Sequence, residues 1–266
     1  MNLNEARMLD ILKELKQVHN ILAVKAEFEA EGTRKDELVK LLSIVARADL
    51  DLHIKIGGCE AVRDMHECRT FGAQAIVAPM IESPFAMVKY LQAIDAAYTP
   101  AEQAGMLYVF NAETITAYNN LDEILAVPGV KEKIDSVSVG RVDFTASLGL
   151  SRADINTDKV TPYVETMLRK CHAAGLKAGF GGGVNPDTVP VIEKVRDVLY
   201  KFETRKIIFR YFDGLDITAA QLLAMEFELL YLKNKNDLYT QLQNEDTARI
   251  SMLEKRFLAA KEKYGK

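Results

Sequence analysis

Cysteine is scarce in this chain, and what there is of it forms no pattern. The three thiols, Cys59, Cys68 and Cys171, are an odd number with no CxxC spacing. They predict neither a disulfide framework nor a zinc site. Long apolar runs are missing too. The longest, Ala75 to Ile81, is far too short to cross a bilayer. The opening MNLNEARMLDILKELK carries charge throughout and has no apolar stretch of signal-peptide length. Basic residues are not concentrated anywhere: 34 Lys and Arg stand against 38 Asp and Glu, a net charge of −4. A nucleic-acid partner would call for a basic footprint. The expectation is a cytoplasmic protein without nucleic-acid or membrane partners.

What the sequence does have is the material for a core. It runs to 266 residues, 48% hydrophobic and 27% charged, the balance of an ordinary globular chain. Surface scaling gives roughly 11,600 Å² folded against roughly 43,000 Å² unfolded, so about three-quarters of the surface is buried. After an amphipathic helical stretch at Leu3–Val18, short β-like runs recur at Ile21–Val24, Leu52–Ile56, Ala75–Pro79, Leu107–Phe110, Ser136–Val139, Leu176–Phe180 and Ile207–Phe212. Helix-patterned stretches separate them, near Lys35–Ala48, Cys59–Phe71, Pro84–Ala97, Leu121–Ala126, Val160–Ala173 and Pro186–Val198. That alternation predicts a parallel sheet with helices outside. No GxGxxG follows the first strand, where Ala23–Gly32 reads AVKAEFEAEG. An α/β fold of the (β/α)8 TIM-barrel type is therefore expected, with an added N-terminal helix. Only seven strands are legible. Either the N-terminal helix fills a gap left by a missing first strand, or one strand is hidden.

The organisation expected is a barrel over residues 1–216 and a C-terminal helical extension over 217–266. From Ile217 onward there is no proline, and the only glycine is Gly265. Leu222, Met225, Leu229 and Leu232 are spaced three and four apart, a helical seam. Ile250, Leu253, Phe257 and Lys261 continue it more weakly, and KNKND at Lys233–Asp237 predicts a break into two helices. Two readings stand: a last barrel helix with a tail, or an arm that contacts another subunit. The seam favours a homo-oligomer joined through these helices.

Barrel active sites gather at the C-terminal ends of the strands, and side chains alternate across each strand. Leu52, Ile54 and Ile56 form an apolar set facing the helices, so His53 and Lys55 point inward. The same alternation turns Lys25 and Glu27 inward on the first strand, and Val109, Asn111 and Glu113 on the fourth. Inward charges are costly unless paired or metal-bound. Asp143 lies just past the strand that ends at Gly140. Glu113 and Asp143 together are a carboxylate pair suited to one hard divalent cation, with water and substrate oxygens completing the shell. The alternative is that Asp143 caps its own turn.

The stretches IKIGG (Ile54–Gly58), GAQAIVAPMIES (Gly72–Ser83), YVFNAET (Tyr108–Thr114) and VGRVDFTASLG (Val139–Gly149) follow one another in an order and spacing that resembles a known superfamily. It is that of the citrate lyase β-subunit and the class II pyruvate aldolases, the phosphoenolpyruvate/pyruvate barrels. The resemblance covers Ile21 to Leu215. It implies a carbon–carbon lyase or aldolase that acts on a 2-oxo acid or related carboxylate, or on an acyl thioester, through an enolate. It also implies Mg²⁺ or Mn²⁺ held by Glu113 and Asp143, and a substrate carboxylate held by backbone amides near Val142 and Asp143. Such a cation acts as a Lewis acid on the keto oxygen. Lys55 stands where the family has an arginine, keeping the charge but not the planar fork. Phe28 stands where the aldolase branch has a histidine base, leaving Glu27 or Glu29 for that role. Arg141 replaces a proline or small residue and is a candidate for contact with an anion or an acid. That branch also begins with a strand and helix ahead of Ile21, where this chain has a helix.

Lys55, Glu27 and Arg141 are thus the catalytic candidates, and Asn111, Val142, Asp143, Lys25 and Glu82 the substrate-binding ones. Two other classes are kept: a metabolite-binding barrel that has lost the chemistry, and an aldolase forming a Schiff base at Lys25 or Lys55. His53 reads as a satisfied core histidine, and His66 and His172 as surface or packing residues. The loop GFGGGVNPDT (Gly179–Thr188) is either an anion-binding turn or a tight connection with Asn185 as N-cap.

Overall fold

The computed structural model describes residues 1–264, and side-chain environments through residue 258. Gly265 and the side chain of Lys261 lie outside the described residues. Eight strands close into one barrel in chain order: β1 Ile21–Glu27, β2 Asp51–Lys55, β3 Ala75–Ala78, β4 Leu107–Ala112, β5 Ser136–Gly140, β6 Lys177–Gly181, β7 Lys201–Glu203 and β8 Ile207–Arg210. The helices that matter below are α1 Leu3–His19, α2 Lys35–Arg47, α3 Val62–Thr70, α4 Pro84–Ala97, α5 Arg141–Ser147, α6 Thr161–Ala173, α7 Val189–Val195 and α8 Ile217–Tyr264.

The barrel expected from the alternation is present, and the eighth strand was hidden rather than missing. It is β7, three residues reading Lys-Phe-Glu, in which a single apolar side chain leaves no visible period. The first strand is regular and pairs in parallel with β2 over five residues. The last strand departs from the repeat. β8 follows β7 after only Thr204–Lys206 and runs antiparallel to both β7 and β1. No helix separates the two, so the ring closes through a hairpin.

Local sequence sets the helix starts. Asn2 caps α1 through its side chain and receives Glu5 in return, a reciprocal box that satisfies two otherwise orphaned amides. Ser83 caps α4, with Pro84 in its first turn, where a missing N–H costs nothing. Asn185 accepts the Asp187 amide, so the loop after β6 takes the capping form of its two alternatives.

The expected break at Lys233–Asp237 is absent: α8 is one helix of 48 residues, about 72 Å long. Contacts on its inner side hold it through that stretch. Asn234 accepts from Asn2, and Lys235 pairs with the buried Glu37 at 3.1 Å. Arg7 meets Glu226 through two hydrogen bonds. These pairs show that α8 runs antiparallel to α1 and climbs from the foot of the barrel to the end where the strand C-termini gather. Past Tyr239, which bonds Glu37 at the start of α2, every residue from 240 to 258 is exposed.

The apolar core lies between the sheet and the helices. Val24, Ala26, Leu52, Ile54, Val137, Val139, Phe180 and Phe202 face it from the strands. The inside of the ring is different. Strand register carries an inward set around it, with Glu27 beside Lys55, Lys55 beside Val77, Asn111 beside Ser138, and Gly181 beside Glu203. Barrels are more often filled with Val, Ile and Leu; here charge fills much of the space.

Candidate functional site

Two clusters of buried charge stand inside the ring, one above the other. The upper one centres on Glu113, directly after β4 and 1% exposed. Its carboxylate accepts from the Met80 amide (3.0 Å) and from the Asn111 side chain (3.1 Å), and lies 3.5 Å from the Lys55 ammonium. Lys55 also reaches Glu29 at 2.9 Å. Gly140 makes room for this carboxylate, since a Cβ at that position would lie 2.3 Å from Glu113 Oε2. Burial raises the Glu113 pKa against the opposing pull of Lys55, the Met80 amide and Asn111, and the charge of Asp143 adds to the rise. For Lys55 burial works downward, but Glu113 and Glu29 outweigh it and the ammonium is held charged.

Asp143 sits in the first turn of α5, exposed to solvent. No side chain caps α5, because Gly140 is its N-cap, so Asp143 is not the cap that the alternative reading required. Val142 precedes it, and its backbone nitrogen faces Gly182. A Cβ on Gly182 would stand 2.8 Å from that nitrogen, and the φ of +85° at Gly182 is one that glycine adopts without strain.

The lower cluster is legible in the sequence only in part: Lys25, Glu27 and His53 read as inward, and Lys201 and Glu203 do not. Lys25 lies between Glu27 (3.3 Å) and Glu203 (3.1 Å), and Glu203 also meets Lys201 at 3.2 Å and accepts from Ser138. Burial opposes both charges. Even so, Lys201 and Lys25 hold the Glu203 carboxyl far below the ordinary range, and Glu203 and Glu27 push Lys25 upward. Beside them His53 is buried with Nδ1 unpartnered. It points inward as read, but it is not satisfied. Burial and the Lys201 charge push its pKa down to about 3. Lys201 and Glu203 went unseen because β7 itself was illegible; a period-two reading of Lys-Phe-Glu would have turned both inward.

Two other candidates, Arg141 and Glu82, and Phe28 beside the site make the following contacts. Arg141 is fully buried and, among the described residues, pairs with no acidic side chain. Its guanidinium donates to the Gly182 carbonyl and to Asn156 (2.8 Å each) and lies 4.7 Å from the centre of the Phe180 ring, on the helix side of the sheet. Glu82 accepts from Thr114 at 2.6 Å, steadying the residue that caps the turn after Glu113. Phe28, half-buried, donates its backbone amide to the Lys55 carbonyl. Lys25 and Lys55, the two Schiff-base candidates, are both ion-paired.

The donor set at the upper cluster is all oxygen: two carboxylates, plus Asn111 Oδ1, which is buried without a partner. Such a set suits Mg²⁺ or Mn²⁺ rather than zinc. Among the described residues no group of three or more His, Cys, Asp or Glu side chains is placed to hold a metal. The protein ligands available number two carboxylates, a count that Mg²⁺ accepts when water and substrate supply the rest. No helix of the described residues is long and apolar enough to cross a membrane.

Comparison with known proteins adds an independent line. The family model described as HpcH/HpaI aldolase/citrate lyase matches residues 37–182, more than half of the chain. That span contains Lys55, Glu82, Asn111, Glu113 and Arg141–Asp143, and excludes both Lys25 and Glu203. A 2-keto-3-deoxy-L-rhamnonate aldolase of Escherichia coli K12 is 44% identical over 68 residues, 26% of this chain and 24% of that protein. The chain thus matches about a quarter of the length of this relative. The fold is similar to the crystal structure of an HpcH/HpaI aldolase/citrate lyase family protein from Burkholderia cenocepacia J2315. The TM-score is 0.60, with 16% identity over 88% of this chain and 90% of that one. It is also similar to an HpcH/HpaI aldolase from Desulfitobacterium hafniense DCB-2, with TM-score 0.58 and 15% identity over 74% and 82%.

Proposed function

This chain belongs to the HpcH/HpaI aldolase/citrate lyase family, and on that premise we propose that it makes or breaks a carbon–carbon bond of a 2-oxo acid through an enolate. The observation that carries the reading is Glu113. It is a buried carboxylate at the end of β4, held by Met80, Asn111 and Lys55 and sensing the charge of Asp143. Glu113 and Asp143 would hold a divalent cation, Mg²⁺ or Mn²⁺. When bound, that cation supplies Lewis-acid stabilisation of charge on the substrate's keto oxygen.

The chain's own groups supply the rest. Asn111 and the Met80 amide fix the orientation of Glu113, so the carboxylate needs no reorganisation during the reaction. Lys55 keeps a protonated ammonium beside it and offers positive charge to an incoming carboxylate or developing enolate, in the position of the family's arginine. The uncapped amides of Val142 and Asp143 are donors for the substrate carboxylate. Glu29, bonded to Lys55, and Glu27, bonded to Lys25, are the carboxylates from which a base must come, since Phe28 cannot serve. A Schiff-base route needs a neutral amine. The ion pairs that hold Lys25 and Lys55 charged count against it.

Deuterium uptake into the methyl group of pyruvate, followed by proton NMR with Mg²⁺, Mn²⁺ or a chelator, tests this reading. Metal-dependent exchange is expected, and its loss in Glu113→Gln. Metal binding without exchange would move the donor to an acyl thioester. Neither binding nor exchange would favour a barrel that binds an anionic metabolite without turning it over.

A further inference from the structure

The loop after β1 brings Glu29 to Lys55, and little holds it there. Its two ends are tied. The Phe28 amide donates to the Lys55 carbonyl at 2.8 Å, and the Thr33 amide and hydroxyl both donate to the Glu27 carbonyl, at 3.1 and 2.7 Å. Between those ties, residues 29–32 make no backbone hydrogen bond among the described residues. Lys55 is also the one charged group among them that Glu29 meets. The place of its carboxylate therefore depends on the course of this short segment.

One side chain pins the middle of the segment. The Glu31 carboxylate meets Arg205 at 3.0 Å and also the Lys206 ammonium, both on the link that joins β7 to β8. Arg205 is half exposed, so water weakens its hold. Lys206 is 1% exposed, and its ammonium lies 4.4 Å from the centre of the buried Tyr231 ring on α8. Steps of four residues keep to one face of a helix, and along that face Lys235 and Tyr239 grip the far end of the loop. Lys235 pairs with Glu37 at 3.1 Å, and Tyr239 bonds Glu37 and lies 4.7 Å from the Arg34 guanidinium.

Packing alone does not explain a lysine between Tyr231 and the hairpin. Apolar side chains of similar volume in place of a buried ion pair are often neutral or stabilising. What Lys206 does that a methionine would not is fix the Glu31 carboxylate, two residues from Glu29. We infer that Lys206, seated on Tyr231 of α8, is a positioning residue: through Glu31 it holds Glu29 against Lys55, and so keeps the Lys55 ammonium turned to the substrate. This rests on the enolate reading of the site given above. It also gives α8 a part in a site to which it contributes no side chain.

The test is a double variant, Lys206→Met with Glu31→Gln, which removes both charges of the pair and nearly keeps its volume. Its Tm and helical circular dichroism should stay near wild type, because no buried charge is left unpaired. Its kcat for metal-dependent deuterium exchange into pyruvate should fall about ten- to a hundredfold. In a Glu29→Gln background the same two changes should cost nothing further, since the residue they act through is already disabled. Hydrogen exchange mass spectrometry should show faster exchange over residues 27–34 and none of that change over 108–114. An unchanged kcat, losses that multiply with Glu29→Gln, or a loop as protected as in wild type would each overturn the inference. A wild type that exchanges nothing with pyruvate would instead sink the enolate reading. The role of Lys206 would then be supported by faster exchange over 27–34 in the double variant and overturned by unchanged protection.

Discussion

His53 makes stability fall in mild acid, before most carboxylates titrate. The imidazole is buried inside the ring, with Nδ1 unpartnered and the ammonium groups of Lys201 and Lys25 nearby, only partly offset by Glu203. Its pKa falls from 6.5 to about 3. The unfolded chain therefore takes up a proton at pH values where the folded chain does not. For a depressed pKa the stability is complete above the unfolded value and is lost as pH falls towards the folded one. The slope approaches about 1.4 kcal/mol per pH unit between those limits. At pH 5 the loss relative to pH 8 is about 2 kcal/mol, or a fall in Tm of roughly 4–8 °C for a chain of this size. Urea unfolding of wild type and His53→Leu at half-unit steps from pH 8 to pH 5 isolates this contribution, because every other group is common to both. The wild type should lose about 2 kcal/mol more than the variant over that range. Parallel curves for the two proteins would mean that His53 is charged in the folded state, and the reasoning would fail.

Glu203→Ala should cost about 3–5 kcal/mol, because it leaves the Lys25 and Lys201 ammonium groups buried without their shared partner. Calorimetric Tm measures it, and a shift under 3 °C would show that water or Glu27 compensates. Gly140→Ala should displace the Glu113 carboxylate and lower divalent-cation affinity measured by calorimetry, at an overpacking cost of about 1–3 kcal/mol in stability. Unchanged affinity would mean that Glu113 is not a ligand. Arg141→Met should lower stability by about 2–3 kcal/mol through the unmet Gly182 carbonyl and Asn156 oxygen. Its KM should stay near the wild-type value, whereas a residue touching the substrate would raise it.

Strands with a clear alternation told their inward faces truly. The apolar partners of β2, Leu52, Ile54 and Ile56, are all buried in the core, which leaves His53 and Lys55 on the other side. Asn111 and Glu113 were legible for the same reason. Lys201 and Glu203 were not, because a three-residue strand has no period and its only apolar residue, Phe202, could equally belong to a loop. Reversal of β8 was beyond reach as well: Ile207–Arg210 reads the same in either direction, and only the three-residue link to β7 dictates a hairpin. Arg141 shows a different limit. A residue adjacent to the site in sequence was turned to the helix side of the sheet by Phe180, Asn156 and a carbonyl, none of which the sequence marks as its neighbour. At Lys233–Asp237 local propensity favoured a break, and contacts with Asn2 and Glu37 overrode it.

Closure of the ring by its first and last strands has a consequence for how the chain is made. β1 leaves the ribosome early, but its second hydrogen-bonding neighbour is β8, not β3 or β4. At about 5–20 residues per second, the segment from β1 to β8 takes on the order of 10–40 s to emerge. Throughout that interval the backbone of Ile21–Val24 is an unpaired edge, open to any extended chain that meets it. Until Ile207–Arg210 arrives to seal the seam, the nascent barrel is an open, curling sheet, and a ribosome that stalls before that point releases a protein with a free β edge.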